Sequence, residues 1–285
     1  MQIFQVDAFA NHLFHGNPAA VVPLPEWLPE DMLQRIAMEN NLAETAYFVP
    51  EGDDYAIRWF TPTVEVDLCG HATLASAHVL FEQLGYGRDL IRFRSLKSGV
   101  LEVSRRAAPA AAGSIISGAG QLTLNFPSNP PVPVDPSPLD LIFEGLGIPS
   151  QPMFKGTTDY MIVLDSAEAV EKLRPDFRKL AAAPGRGILV TAPGSKAGNS
   201  GTAPGASPID FVSRCFFPQS GIDEDAVTGS AHTNLIPYWA ERLGKKKLSA
   251  VQLSARRGYL DCELAGDRVY ISGYAKTFMK GEILL

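Results

Sequence analysis

Tyr55-Ala-Ile-Arg58-Trp-Phe60-Thr-Pro62, leading to Cys69-Gly70-His71-Ala72-Thr73, has a near copy further along the chain: Phe211-Val-Ser-Arg214-Cys-Phe216-Phe-Pro218, leading to Thr228-Gly229-Ser230-Ala231-His232. Arg, Phe and Pro fall in register. From Gly70 it is 15 residues to Gly85 and 29 to Gly99; from Gly229 it is 15 to Gly244 and 29 to Gly258. Self-similarity at matched spacings marks a duplicated unit. Each copy reads as strand, loop, glycine, helix, glycine, strand, turn, strand, and the second carries three extra residues in the loop before its helix. Val100-Leu-Glu-Val103 and Tyr259-Leu-Asp-Cys262 are the strands entered from the tight turns at Gly99 and Gly258.

Outward from these landmarks, the stretch from His71 to Leu84 carries Ala72, Leu74, Ala75, Ala77, Val79, Leu80, Phe81 and Leu84, so it is apolar nearly all round. Such a helix is buried rather than laid on a surface, and strands are expected around it. Its counterpart, Ser230 to Leu243, contains Pro237, which removes one backbone hydrogen bond and predicts a kink or an interruption. Alternating stretches at Ile3 to Phe9, Ala19 to Val22, Ala46 to Val49, Leu122 to Phe126, Tyr160 to Leu164, Ile188 to Thr191 and Val269 to Ile271 predict further strands. The fold class is α+β. The Pro-rich stretch Pro127 to Pro138 reads as an extended connector. It divides the chain into an N-terminal half, residues 1–126, and a C-terminal half, residues 139–285, whose last residues are open to returning to the first half. Ala192 to Pro208, rich in Gly, Ala, Ser and Pro, reads as a mobile surface loop.

Composition narrows the function classes. With 46% hydrophobic and 20% charged residues the chain is of ordinary globular type. A net charge of −6 gives no electrostatic footprint for nucleic acid or an anionic membrane. The one basic run, Lys245 to Lys247, follows Gly244, where cations complement a helix C-terminus. No apolar run of roughly 18 residues occurs, and the N-terminal stretch lacks a basic segment followed by an apolar one, so a cytoplasmic protein is expected. The three cysteines, Cys69, Cys215 and Cys262, are widely spaced without a CxxC, which signals reduced thiols rather than disulfides or structural zinc. A zinc set of Cys69, His71, Cys215 and His232 is imaginable but lacks ligand spacing.

The chemistry points to the two helix starts. Each begins with Gly followed by a small or polar residue, leaving backbone N–H groups and a positive dipole end able to hold a carboxylate or a developing enolate-like anion. Glu44 stands between Leu42-Ala43 and Thr45-Ala46-Tyr-Phe-Val, at the entry to an apolar strand. A carboxyl group there, its pKa raised by burial, can take a proton from one carbon and return it to another. Without further information a surface Glu at a strand entry is the commoner reading. His71 beside Gly70 is placed to donate to a substrate carboxylate or relay the proton, or else packs as an ordinary helix-start residue. Asp225, four residues before Gly229, is either a turn carboxylate or a group that holds a substrate amine or hydroxyl.

Four segments together are specific. Phe14-His-Gly16-Asn17-Pro18-Ala19-Ala20-Val21-Val22, Asn41-Leu-Ala-Glu44-Thr45-Ala46, Cys69-Gly70-His71-Ala72-Thr73 and Glu224-Asp225-Ala-Val-Thr228-Gly229-Ser230-Ala231-His232 resemble, in the same order, the signature segments of the phenazine-biosynthesis (PhzF) family. The resemblance runs over essentially the whole chain. It implies a diaminopimelate-epimerase-like fold of two pseudosymmetric halves, each a β-rich barrel around a central helix, with the active site in the cleft between them, and a homodimer. It further implies a cofactor-independent isomerase similar to trans-2,3-dihydro-3-hydroxyanthranilate isomerase, acting on a small carboxylate substrate. Glu44 matches the family's proton-shuttling glutamate, His71 and Asp225 its ligand-binding histidine and aspartate, and Gly70, Gly229 and Ser230 its substrate-binding positions at the helix starts.

Two other readings stay open. Related epimerases and proline-racemase-like enzymes use two thiols, one at each helix start; Cys69 occupies the first position, but Thr228 stands at the second, and its hydroxyl is too weak an acid to alternate with a thiolate. A metabolite-binding protein without turnover is the other, and a variant such as Glu44→Gln discriminates it.

Overall fold

The computed structural model describes residues 1–106, 120–194 and 208–285. They form two compact units, Met1–Phe126 with Tyr270–Leu285, and Pro127–Val269. The first begins with an antiparallel pair, β1 (Gln2–Ala8) and β2 (Asn17–Pro23). Helix α1 (Glu30–Asn40) then carries the chain to β3 (Glu44–Glu51), which runs parallel to β2. Parallel neighbours need a crossover, and α1 supplies it. Next come β4 (Asp54–Phe60), antiparallel to β3, and the short β5 (Glu65–Val66) on β4. The buried helix α2 (Gly70–Glu82) leads to β6 (Leu90–Ser95), parallel to β4, and on to β7 (Gly99–Arg106) and β8 (Gln121–Pro127) in antiparallel succession.

The second unit repeats this order. After β9 (Val132–Val134) and α3 (Asp140–Leu146) come β10 (Met153–Lys155) and β11 (Asp159–Val163), an antiparallel pair. Two short helices, α4 (Ala167–Glu171) and α5 (Phe177–Ala181), make the crossover to β12 (Gly187–Pro193), parallel to β11. They are capped by Ser166, which accepts from the Ala169 N–H, and by Asp176, which accepts from those of Arg178 and Lys179. Then follow β13 (Phe211–Phe217), β14 (Ile222–Asp225), α6 (Gly229–Leu243), β15 (Lys247–Gln252) parallel to β13, and β16 (Gly258–Ala265); β17 (Arg268–Gly273) starts at the end of this unit and belongs to the first from Tyr270 on. The last strand, β18 (Ala275–Glu282), pairs with β1, while β9 pairs with β10. The pair β18–β1 thus lies within the first unit, and β9–β10 within the second.

The ladders fix which residues correspond. Thr45 and Tyr47 lie opposite Phe60 and Arg58; Ile188 and Val190 lie opposite Phe216 and Arg214. One step further back, Glu44 corresponds to Gly187. Supporting contacts are duplicated as well. Arg58 grips Glu65 through Nε and Nη2 at 2.7 Å each, and Arg214 grips Glu224 in the same way at the same distances. The second partner lies three residues further along, where the extra loop residues were expected.

Every α2 residue from Gly70 to Phe81 is buried, as an all-round apolar surface requires, and the helix packs against β1, β2 and β3. It stops at Glu82, two residues short of expectation, and Leu84 is exposed. In α6, Pro237 neither breaks the helix nor leaves an orphan group. The Thr233 carbonyl, which Pro237 has no N–H to meet, accepts from the backbone N–H of Asn129 at 3.0 Å. The Pro-rich connector is partly a sheet strand, since Val132–Val134 is β9. Of the expected mobile segment, Ala192 and Pro193 close β12, and residues 195–207 lie outside the described residues. In the lysine run, Lys245 Nζ meets Asp210 Oδ1 at 2.5 Å and Lys247 pairs with Glu263.

Each central helix buries one histidine in neutral form. Burial pushes His78 on α2 down to about 4, with Lys276 adding to the effect, and burial pushes His232 on α6 down to about 4 as well. A depressed imidazole pKa means that the unfolded chain binds protons the folded chain refuses. The stability these residues contribute is therefore complete above pH 6.5, the ordinary value, and is lost as pH falls towards 4. The loss is on the order of 3 kcal/mol for each histidine. Urea midpoints between pH 8 and pH 4 should fall below pH 6.5, and His232→Gln should flatten that slope.

Candidate active site

In the first unit the parallel pairing of β2 and β3 sets Glu44, the first residue of β3, opposite Ala19, two residues into β2, and α2 packs on the same strands. Asn17, Glu44, Cys69 and His71 are brought together there, all buried. Glu44 Oε2 stands 3.2 Å from His71 Nε2 but makes no aligned hydrogen bond. On the other side of the ring, Nδ1 lies 3.1 Å from Asn17 Nδ2 and 3.5 Å from Cys69 Sγ. His71 thus turns Nε2 to the carboxylate and Nδ1 to Asn17 and Cys69.

Electrostatics reinforce this arrangement. Burial disfavours a charged imidazole, but the adjacent Cys69 and Glu44 side chains outweigh it and hold His71 well above its usual range. The carboxylate is the partner that counts at neutral pH. The Cys69 thiol, pushed up to about 11 by burial and by Glu44, remains protonated there. Cys69 is thus a small buried residue rather than a base. Among the described residues, Glu44, Cys69 and His71 are also the one cluster whose donor atoms could converge on a metal, within 4.8 Å of one another. Cys215 and His232 take no part in it, so the four-residue zinc set is not assembled. The imidazole nitrogens already face Glu44, Asn17 and Cys69, and a metal would have to displace those contacts.

In the second unit Asp225 closes β14 opposite Cys215 of β13, and its Oδ2 accepts from the Thr228 hydroxyl at 2.6 Å. Gln252, fully buried at the end of β15, ties the turn together. Its Nε2 donates to the Asp225 carbonyl and its Oε1 accepts from the Thr228 N–H. Gly229 and Ser230 open α6, and Ser230 Oγ accepts from Arg186 Nη2 at 3.2 Å. Neither N-cap residue, Cys69 or Thr228, bonds the first-turn N–H groups with its side chain, and neither first turn holds an acidic residue. Capping therefore does not account for the two Gly-led helix starts, and their N–H groups are suited to an anion.

Of the expected site residues, Glu44, His71 and Gly70 are gathered in the first unit, and Asp225, Gly229 and Ser230 in the second. Sequence reasoning missed three. Asn17 carried a signal, its place in Gly16-Asn17-Pro18 at the head of a strand. Arg186 offered one only through its place beside the residue matching Glu44. Gln252 offered none.

The family model described as phenazine biosynthesis-like protein matches residues 6–281. A Pseudomonas aeruginosa protein named as an uncharacterized isomerase is 47% identical over 285 residues, covering 100% of this chain and 99% of its own. The crystal structure of a PhzF family protein from Enterococcus faecalis superposes with a TM-score of 0.87 at 44% identity, covering 100% and 99% of the two chains. A probable proline racemase from Agrobacterium radiobacter, 10% identical with a TM-score of 0.59 over 100% and 93%, shares the fold alone. The α+β fold is thus of the epimerase and racemase type.

Because Glu44 holds the His71 proton, removing its charge should release it. In nitrogen-15 NMR titrations the wild-type His71 should remain protonated above pH 6.5, its ordinary value. In Glu44→Gln its midpoint should fall by about one unit or more, as loss of a close opposite charge requires.

Proposed function

The chain belongs to the phenazine biosynthesis-like (PhzC-PhzF) family and is an isomerase, and from that premise we propose that it shifts a proton between two carbons of a small carboxylate-bearing substrate without a cofactor. Glu44 is the acid–base group. It takes a proton from one carbon as carboxylate and returns it to another as acid. His71 turns Nε2 towards Glu44 and stabilises the carboxylate between turnovers. Backbone N–H groups at the start of α2, from Gly70, favour the charge that develops as the proton leaves, and those at the start of α6, at Gly229 and Ser230, favour a carboxylate. Asp225 holds a substrate amine or hydroxyl.

The observation that carries this reading is asymmetry within a duplicated frame. Glu44 and His71 form a buried carboxylate–imidazole pair at 3.2 Å, and the ladder gives Glu44 the counterpart Gly187, which has no side chain. One base supports a proton shift. Two-base epimerisation, the alternative that the fold's racemase relatives suggest, would need a second acid–base group at Thr228, whose hydroxyl donates to Asp225. The nearest chemical model for the substrate is trans-2,3-dihydro-3-hydroxyanthranilate.

Incubating the protein with that compound in deuterated water, followed by absorbance and proton NMR, should show isomerisation with deuterium entering one carbon. Glu44→Gln should lower kcat at least about 10²-fold, the usual share of a general acid–base group. Undiminished turnover in a folded Glu44→Gln protein would remove the base from the mechanism, and a protein that binds substrate but never exchanges deuterium is a binding protein instead. Cys69→Ser should keep kcat within about fivefold, since a thiol that is protonated at neutral pH supplies no base.

A further inference from the structure

Arg186 takes no part in the mechanism above, yet the second unit is built around it. Asp159, 2% exposed, grips it at both ends, from Nε to Oδ1 at 2.8 Å and from Nη2 to Oδ2 at 2.5 Å. Its backbone N–H donates to the Thr158 carbonyl, and the guanidinium stacks over Phe217 with its carbon 5.3 Å from the ring centre. Both neighbours are glycines for local reasons. Gly185 adopts a φ of +96°, and a Cβ on Gly187 would come within 2.2 Å of the Phe217 ring and 3.2 Å of Asp159 Oδ1. The loop therefore delivers one side chain, in one position.

What it reaches is Ser230. A guanidinium has donors and no acceptor, so in the 3.2 Å contact Arg186 donates and Ser230 Oγ accepts. The hydroxyl hydrogen of Ser230 is then directed away from Arg186, and it meets no acceptor among the described residues. Nor does Nη1 of Arg186, whose side chain is 41% exposed. The position is also the counterpart of the acid–base pair. Gly70 corresponds to Gly229, so His71 corresponds to Ser230, and Arg186 stands one residue before the counterpart of Glu44. Where the first unit sets a carboxylate 3.2 Å from an imidazole, the second sets a guanidinium 3.2 Å from a hydroxyl. The first pair can exchange a proton. The second cannot, because arginine keeps its proton at any working pH, but it presents a polarised O–H to an anion.

We propose that Arg186 is the positioning residue that fixes the Ser230 hydroxyl as an outward donor to the carboxylate of the substrate, and so selects anionic substrates. The role rests on the carboxylate-substrate reading above. It is separable from the identity of the base, because Arg186 acts on binding and Glu44 on turnover.

The test is a double-mutant cycle with 2-aminobenzoate as the carboxylate probe and aniline as its uncharged analogue, followed by calorimetric titration. Wild type should bind 2-aminobenzoate in preference to aniline. Arg186→Gln and Ser230→Ala should each weaken it about tenfold, the effect of losing a charge-assisted hydrogen bond, and the double variant should lose no more than either single one. With a substrate that turns over, Arg186→Gln should raise KM about tenfold and leave kcat within about twofold, a split that a structural ion pair would not produce. Arg186→Lys, which keeps the charge, guards against collapse of the loop and should recover part of the affinity. Additive losses in the double variant, wild-type affinity in Arg186→Gln, or a wild type that does not prefer the carboxylate probe would each overturn the proposal, whatever Glu44→Gln shows in turnover.

Discussion

A helix without a polar face is the constraint on which the rest of the molecule depends. From Gly70 to Phe81 nothing on α2 can be left in water, so strands must enclose it along its whole length. Enclosure buries its first turn too, and there the backbone N–H groups receive no side-chain cap. A buried row of uncapped donors is costly unless something anionic meets it. Function thus sits where burial creates an unmet electrostatic demand, and the side chains that the strand ends deliver to that point decide its chemistry. In the first unit these are Asn17 and Glu44, the opening residues of two parallel neighbours.

Duplication separates what the frame requires from what the chemistry requires. The Arg58–Glu65 and Arg214–Glu224 clamps are the same device twice, each with its guanidinium over the phenylalanine two residues on, at 5.1 and 5.2 Å. Thr73 and His232, at matching positions in the first helical turn, both bond the carbonyl of the N-cap residue, at 2.6 and 2.7 Å. Those contacts shape the helix entry and have kept their geometry even where the residue type changed. At the second residue of the same turn the two units part company: imidazole with carboxylate in one, hydroxyl with guanidinium in the other.

Much of this was legible in the sequence because it is local or periodic. Identical glycine spacings gave the repeat and all-round apolarity gave the buried helices, whereas Glu44 at the mouth of an apolar strand was singled out as a base only through the family resemblance. The rest depends on pairings distant in sequence. Helix α1 and the pair α4 and α5 follow from the parallel register of the strands they connect, which no local pattern records. Whether Pro237 would break α6 was decided by Asn129, over a hundred residues away, whose N–H takes the stranded carbonyl. Gln252 resembles any strand-end glutamine until its contacts with Asp225 and Thr228 are seen. In β18 the residues from Phe278 to Lys280 are all exposed, so alternation is absent in the stretch where the register with β1 also shifts, between Gln5 and Val6.

The pairing of β18 with β1 imposes an order in time. Residues 127–269, with β9 paired to β10, are made before Ala275–Glu282, whereas β1 waits for that later strand. During synthesis that edge of β1 is an open template of unpaired backbone groups. An early strand of the chain is therefore among the last to gain both its neighbours.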